Sequence, residues 1–384
     1  MVGHTLLRTA VLGLAAITIA VGSPALASAP GSVPTIRDLG TLGGSTSEAV
    51  AINDRGQIAG SSATTDDGIH AFLWGSWTRG YDKQGMQDLG TGEAVDVNNA
   101  GQVVGNDAGR IFLWDPRTGR RDLGTLGGIA AKATDLNDRG QIVGSMDVFE
   151  GPYLVSHAFR WEPRRGIRDL GVGTATAINE SGQVAGIEIV NFVGFFWDPH
   201  TGRQPVVANQ VGGSSGFVSQ ISGINDRAQV IGSAGQAFLW DTHSGARSLD
   251  TLNALSSGAT DINNRGQVVG RVQDALADVD HAYRWTRASG MVDLTTGKDF
   301  AYNATSTAIN DGGDVVGWTM TSAGPANGEA FLWTRSSGLL HLGTLGGDSS
   351  AAVDVNNRHW VAGNSTTTAG SQHAVVWFCD RSHD

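Results

Sequence analysis

Carboxylates and aromatic side chains gather in a few stretches of this 384-residue chain, and their types say what could be held there. SMDVFEGPYLVS (145–156) carries Asp147, Phe149, Glu150 and Tyr153, and TTGKDFAYNATS (295–306) carries Lys298, Asp299, Phe300 and Tyr302. WTMTSAGPANG (318–328) opens on Trp318, where other copies of the same repeat have Ser61, Asn106, Ser145, Ile187, Ser233, Arg271 or Asn364. Aromatic faces beside carboxylates suit a sugar ring, a cationic peptide or Ca²⁺. A pair such as Asp147 and Glu150 does glycosidase work only at the right separation across a pocket. RVQDALADVD (271–280) offers Asp274, Asp278 and Asp280 as oxygen ligands. It lacks the glycine and closing glutamate of an EF-hand loop, so calcium is a weak option and no other cofactor is expected.

Two further sets are repeated. His70, His157, His281 and His373 could ring a metal, but the favoured reading is a hydrogen bond that holds the connection between repeats. Asp96, Asp135, Asp261 and Asp354 each stand two residues before an asparagine; they could bind a cation, and more simply they satisfy donors of a turn or a neighbouring repeat. No HExxH motif is present, and Cys379 is the only cysteine, so neither a disulfide framework nor cysteine catalysis is available. A formal charge of −11 argues against nucleic acid and anionic membrane as partners.

These residues need elements to position them, and the elements are written as a repeat. AVAINDRGQIAG (49–60) returns seven times, with asparagines at 53, 98, 137, 179, 225, 263, 310 and 356. The spacing is close to the ~40–45 residues of a four-stranded propeller blade. Each unit reads as strand a (AVAI), a tight Asn-Asp-x-Gly turn, strand b (QIAG), a variable loop, strand c (HAFLW, 70–74) and strand d (RDLG, 121–124). Strand c is apolar at nearly every position, so both its faces are buried, as in a blade between two others. TIRDLG (35–40) is a lone strand d before the first unit, and the eighth unit lacks one. The expected fold is therefore all-β: a single β-propeller of eight four-stranded blades, its ring closed by an N-terminal strand completing the last blade.

LGTLGG occurs at 39–44, 123–128 and 342–347, between strand d and strand a. A phosphate loop must run from a strand into a helix, and none is expected here, so these glycines are scaffolding. Within the a–b hairpins, the position of Gly56 needs φ > 0, and the chain departs from glycine there at Ala228 and His359.

His70-Ala71-Phe72 and His157-Ala158-Phe159, with AINDRGQIAG and DLGTLGG, resemble the HAF-repeat family of extracellular repeat proteins over residues 35–378. The resemblance implies secretion and a repeat fold and carries no activity with it; the strand order is also similar to WD-repeat blades. At the N-terminus, Arg8, the apolar run 10–21 and Ala25-Leu26-Ala27 read as a signal peptide spanning 1–27, leaving a propeller of 28–384. No later apolar stretch approaches the ~18 residues of a membrane span. The expected protein is a secreted, extracellular monomer that binds a glycan, peptide or protein through its loop face. The alternative is a propeller hydrolase or lyase acting on an extracellular polysaccharide at the channel mouth. Trp318, Phe300, Tyr302, Lys298, Tyr153, Asp147 and Glu150 are the candidate ligand-binding residues.

Overall fold

The computed structural model describes residues 34–379 apart from 76–84, 189, 210, 212–216, 250–251, 253, 275–278, 296–302 and 321–327. The described residues form eight four-stranded antiparallel sheets, each one sequence repeat, set around a ring as the blades of a β-propeller. In blade 1, strands a (Gly43–Ile52), b (Ile58–Thr64), c (Ile69–Trp74) and d (Met86–Thr91) pair in chain order, and blades 2 to 7 repeat this order. Strand c is buried on both faces, as its composition requires. Leu73 packs with Val97, Phe112 and Trp114 of blade 2, whereas Phe72 and Trp74 pack with Ala362 and Val376 of blade 8. The strand-c tryptophans are core throughout, with Trp333 the one only partly buried.

Ring closure follows the expected scheme. Thr35–Asp38 is strand d of blade 8, pairing from Thr35↔Phe378 to Asp38↔Val375 beside strands a (Gly346–Val355), b (Trp360–Thr367) and c (Gln372–Phe378). LGTLGG behaves as scaffolding: after strand d, Gly40 and Gly43 take φ of 78° and 107°, and the Leu42 N–H donates to Ser62 Oγ of its own blade.

Every strand a carries a bulge at one place, between Ala49 and Ala51 in blade 1 and at the equivalent residues in the others. The glycine of strand b lies opposite. A Cβ on Gly60 would stand 2.1 Å from the Glu48 carbonyl and 2.4 Å from the Phe72 ring. The close approach comes from bulged backbone, joined in blade 1 by the strand-c aromatic Phe72 and in blade 8 by Trp377 over Gly363.

In the a–b hairpin, Asn53 Oδ1 accepts the N–H groups of Arg55 and Gln57 at 3.0 and 2.9 Å, and Gly56 has φ 79°. Ala228 and His359 occupy the same left-handed region at φ 57° and 63°. Ala228 has a Cβ penalty of ~1–2 kcal/mol there, and its methyl packs partly buried against the core, so Ala228→Gly raises the unfolding free energy by the remainder, ~0.5–1 kcal/mol. His359→Gly does the opposite, because the His359 ring is held by the Asp314 carboxylate of blade 7. Parallel urea denaturation of the two variants checks both signs; a destabilised Ala228→Gly rejects the strain argument.

Candidate functional site

The polar groups of the a–b turns around the ring are engaged with one another. Asn53 Nδ2 donates to the Asn98 carbonyl, Asn98 to Asn137, and so on through each blade until Asn356 donates to Asn53 at 3.0 Å. These buried amides therefore shape the turn with one end and join neighbouring blades with the other. A second circuit runs beside it: the Asp54 N–H donates to Asn99 Oδ1, the Asn99 N–H to Asp138, and the sequence ends with the Asn357 N–H on Asp54.

The strand-a aspartates have the same role. Asp354 accepts the N–H of Val355 on one oxygen and that of Ile52, in blade 1, on the other. Asp135 bridges Leu136 and Ile178, and Asp261 bridges Ile262 and Ile309. The reading that they satisfy neighbouring-blade donors holds. Burial raises all four above the usual carboxylate range, Asp96 most clearly, with the Asp135 charge adding to it. Asp261 is pushed up to about 6 by burial first, with the Asp354 and Asp311 charges adding and the Ile309 and Ile262 N–H groups opposing.

A carboxyl whose folded pKa lies above its unfolded 3.8 binds more protons in the native state over that interval. Its stabilising contribution is full below ~4 and is lost as pH rises through about 6. Asp261→Ala, the residue that blades 1, 4 and 7 carry at this place, removes the term. The stability difference between variant and wild type therefore shifts in favour of the variant by about 2 kcal/mol from pH 4 to pH 8. Denaturation at both pH values measures it, and a pH-independent difference refutes it.

On the face shared by the b–c loops and d–a connections, each strand-c histidine meets an aspartate of strand d. His70 Nδ1 lies 2.9 Å from Asp88, His157 2.8 Å from Asp169, His281 3.0 Å from Asp293 and His373 2.9 Å from Asp38. The same aspartates accept the N–H two residues further along the chain, as Asp88 does from Gly90 at 2.7 Å. The histidines thus brace the connection to the next blade, as expected. In blade 2 the pair is Arg110–Asp122, and in blade 7 it is reversed as Glu329–His341.

Asp147, Glu150 and Tyr153 lie on a hairpin of blade 3, formed by strands b (Ile142–Glu150) and c (Tyr153–Glu162). Tyr153 is 72% exposed and Phe149 66%. Asp147 pairs with Ser156 and Glu150 with Tyr153 across the hairpin, and strand residues three apart point to opposite faces. The two carboxylates therefore do not face each other: Asp147 accepts the Ser156 hydroxyl, and Glu150 lies 3.1 Å from His157 Nε2. Asp280 is held by Arg271 at 2.6 Å, whereas Asp274 lies in the turn that follows strand b of blade 6, its N–H on the Val279 carbonyl. Asp278, Lys298, Asp299, Phe300 and Tyr302 lie outside the described residues. Among the described residues, no group of three or more His, Cys, Asp or Glu side chains has metal-binding geometry.

Trp318 is expected at the start of a loop; it sits instead within strand b of blade 7 (Val315–Met320), paired with Thr305 and Ala330. Half-buried, it forms one wall of a cavity of about 250 Å³ between blades 7 and 8, whose lining continues through Met320, Ser349, Asn364, Thr366 and Gln372. Nothing in the repeat pattern marks the blade 8 residues, so sequence reasoning found the indole and missed the cavity it faces.

The fold and its hydrogen-bonded ring define the class: an eight-bladed β-propeller. Among solved structures, the chain is similar to the WD40 domain of SCAP from fission yeast, with TM-score 0.50 and 11% identity over 90% of this chain and 94% of that one. It is also similar to streptogramin B lyase (TM-score 0.48, 8% identity, 92% and 100% covered) and to virginiamycin B lyase from Staphylococcus aureus (0.47, 10%, 90% and 99%). Likeness at these identities speaks for the fold alone. No protein-family model matches the chain, and no curated protein does.

Proposed function

We propose that this protein is a secreted binding module, akin to the HAF-repeat extracellular proteins, that takes a glycan on its b–c face beside Trp318. The observation that carries the reading is the half-exposed indole in a cavity otherwise rich in hydroxyl and amide residues. An apolar ring face with a hydrogen-bonding surround is what a pyranose needs, since one side of the sugar is C–H and its rim is hydroxyl. The repeated residues are absorbed in holding blades together, whereas Trp318 departs from its repeat and, among the described residues, makes no side-chain hydrogen bond to a neighbouring blade. Cleavage of the signal segment after Ala27 would deliver the chain outside the cell.

The test uses protein recovered from the medium, its N-terminus sequenced for a start at Ser28, and screened against glycan and peptide arrays for binding and turnover. Trp318→Ala weakens glycan binding by ~2 kcal/mol or more, as truncation of an aromatic anchor does. Because Trp318 lies in a strand, its melting temperature also falls modestly, so affinity is reported per folded molecule. Intact affinity rejects the Trp318 site. Capture of peptides alone would move the ligand class, and turnover of a polysaccharide would make the protein an enzyme.

A further inference from the structure

A second cavity adjoins the first. It opens over blade 1, has a volume of about 350 Å³, and is lined by Thr46, Glu48, Ser61, Ile69 and Glu93, with Gln372 belonging to both cavities. The two are copies of one device. Blades 1 and 8 have strand a of ten residues each, against five in blade 2 and six in blade 7. Both extensions are pinned alike: the Leu42 N–H donates to Ser62 Oγ at 2.9 Å and the Leu345 N–H to Ser365 Oγ at 2.8 Å. Ser47 and Ser350 likewise donate to the carbonyls of Gly40 and Gly343. These serines are committed to backbone and form the walls. Among the described residues, no side-chain hydrogen bond or ion pair engages Glu48, Glu93 or Gln372.

We infer that the two cavities are adjoining subsites of one groove for an oligosaccharide of neutral or amino sugars. This rests on the glycan reading above. One sugar lies against Trp318 and the chain continues over blade 1, with the Gln372 amide at the junction. A carboxamide donates and accepts, so one side chain can engage two successive sugars; a carboxylate only accepts, so Glu48 and Glu93 take hydroxyl or ammonium donors. The same two charges repel uronate and sulfate groups. The groove is therefore selective against acidic polysaccharides.

Calorimetric titration with ladders of one to six sugars (neutral glucan, amino-sugar and polyuronate) tests it. Affinity for the first two rises about tenfold or more with length until both cavities are spanned, then levels, because the second contact becomes intramolecular. Gln372→Ala lowers affinity for the long oligomers about fivefold and flattens the rise of affinity with chain length, since the amide lines both cavities. Glu48→Gln with Glu93→Gln admits the polyuronate that wild type excludes. Length-independent affinity, or long-chain binding indifferent to Gln372→Ala, overturns the groove while leaving the Trp318 site standing. Wild-type protein that binds none of the ladders overturns the glycan reading and the groove together.

Discussion

Removal of residues 35–40 lowers the melting temperature by ~10 °C or more. The segment supplies the four ladder pairs from Thr35↔Phe378 to Asp38↔Val375, the Ile36 side chain packed against the blade 8 core, and Leu39, 6% exposed between blades 8 and 1. Burial of Leu39 alone is worth ~2 kcal/mol, and loss of Asp38 also releases His373, which lies 2.9 Å from it. Strand c of blade 8 is left as an open edge, prone to pair with another molecule. Scanning calorimetry with size-exclusion chromatography reads both effects, and a synthetic peptide of residues 34–40 added in trans restores part of the lost stability. An unchanged transition after the deletion means that the ring does not close through this strand.

Asn225→Ala costs ~3–5 kcal/mol, a large loss for a single truncation outside the apolar core. The buried amide accepts the Arg227 and Gln229 N–H groups at 3.1 and 3.0 Å, and donates to Gln229 Oε1 at 2.8 Å and to the Asn263 carbonyl at 3.0 Å. Truncation takes these contacts from the Arg227 and Gln229 N–H groups and from Gln229 Oε1 at a blade junction, while the Asn263 carbonyl keeps the Gly266 N–H. Asn225→Asp separates the two roles, because it keeps the acceptor that shapes the turn and loses the donor that reaches blade 6. An Asp variant as stable as wild type would show that the ring of amides contributes nothing beyond the turn, and an Ala cost below ~0.5 kcal/mol would dispose of both roles.

The blades were legible because eight copies of one pattern average out the irregular loops between them. What the sequence conceals is register between copies. The Asn53 turn is local, with its acceptor contacts two and four residues away, and so it shows in the sequence; the donor contact to Asn98 spans 45 residues and requires the ring. The histidine bridges left a signal that could have been used. His70 matches Asp88, Arg110 matches Asp122, and blade 7 exchanges the charges as Glu329 and His341, so comparison of the repeats with one another marks the pairing. Trp318 stood out by type, but its setting did not, because strand b of its blade runs further than the QIAG core of the repeat suggests. Gln372, shared by two cavities, is an ordinary residue in an ordinary position until blades 8 and 1 are brought side by side.

The closing strand also dictates an order of events. Asp38 and His373 meet across 335 residues, whereas the other bridges from a strand-c histidine to its strand-d aspartate span no more than 18. Joining ends that far apart costs ~5 kcal/mol of chain entropy, and it cannot begin until residues up to 378 have been synthesised. Seven blades can assemble from neighbouring chain while the first strand waits for its partners, which puts the greatest cost of chain closure on the last blade.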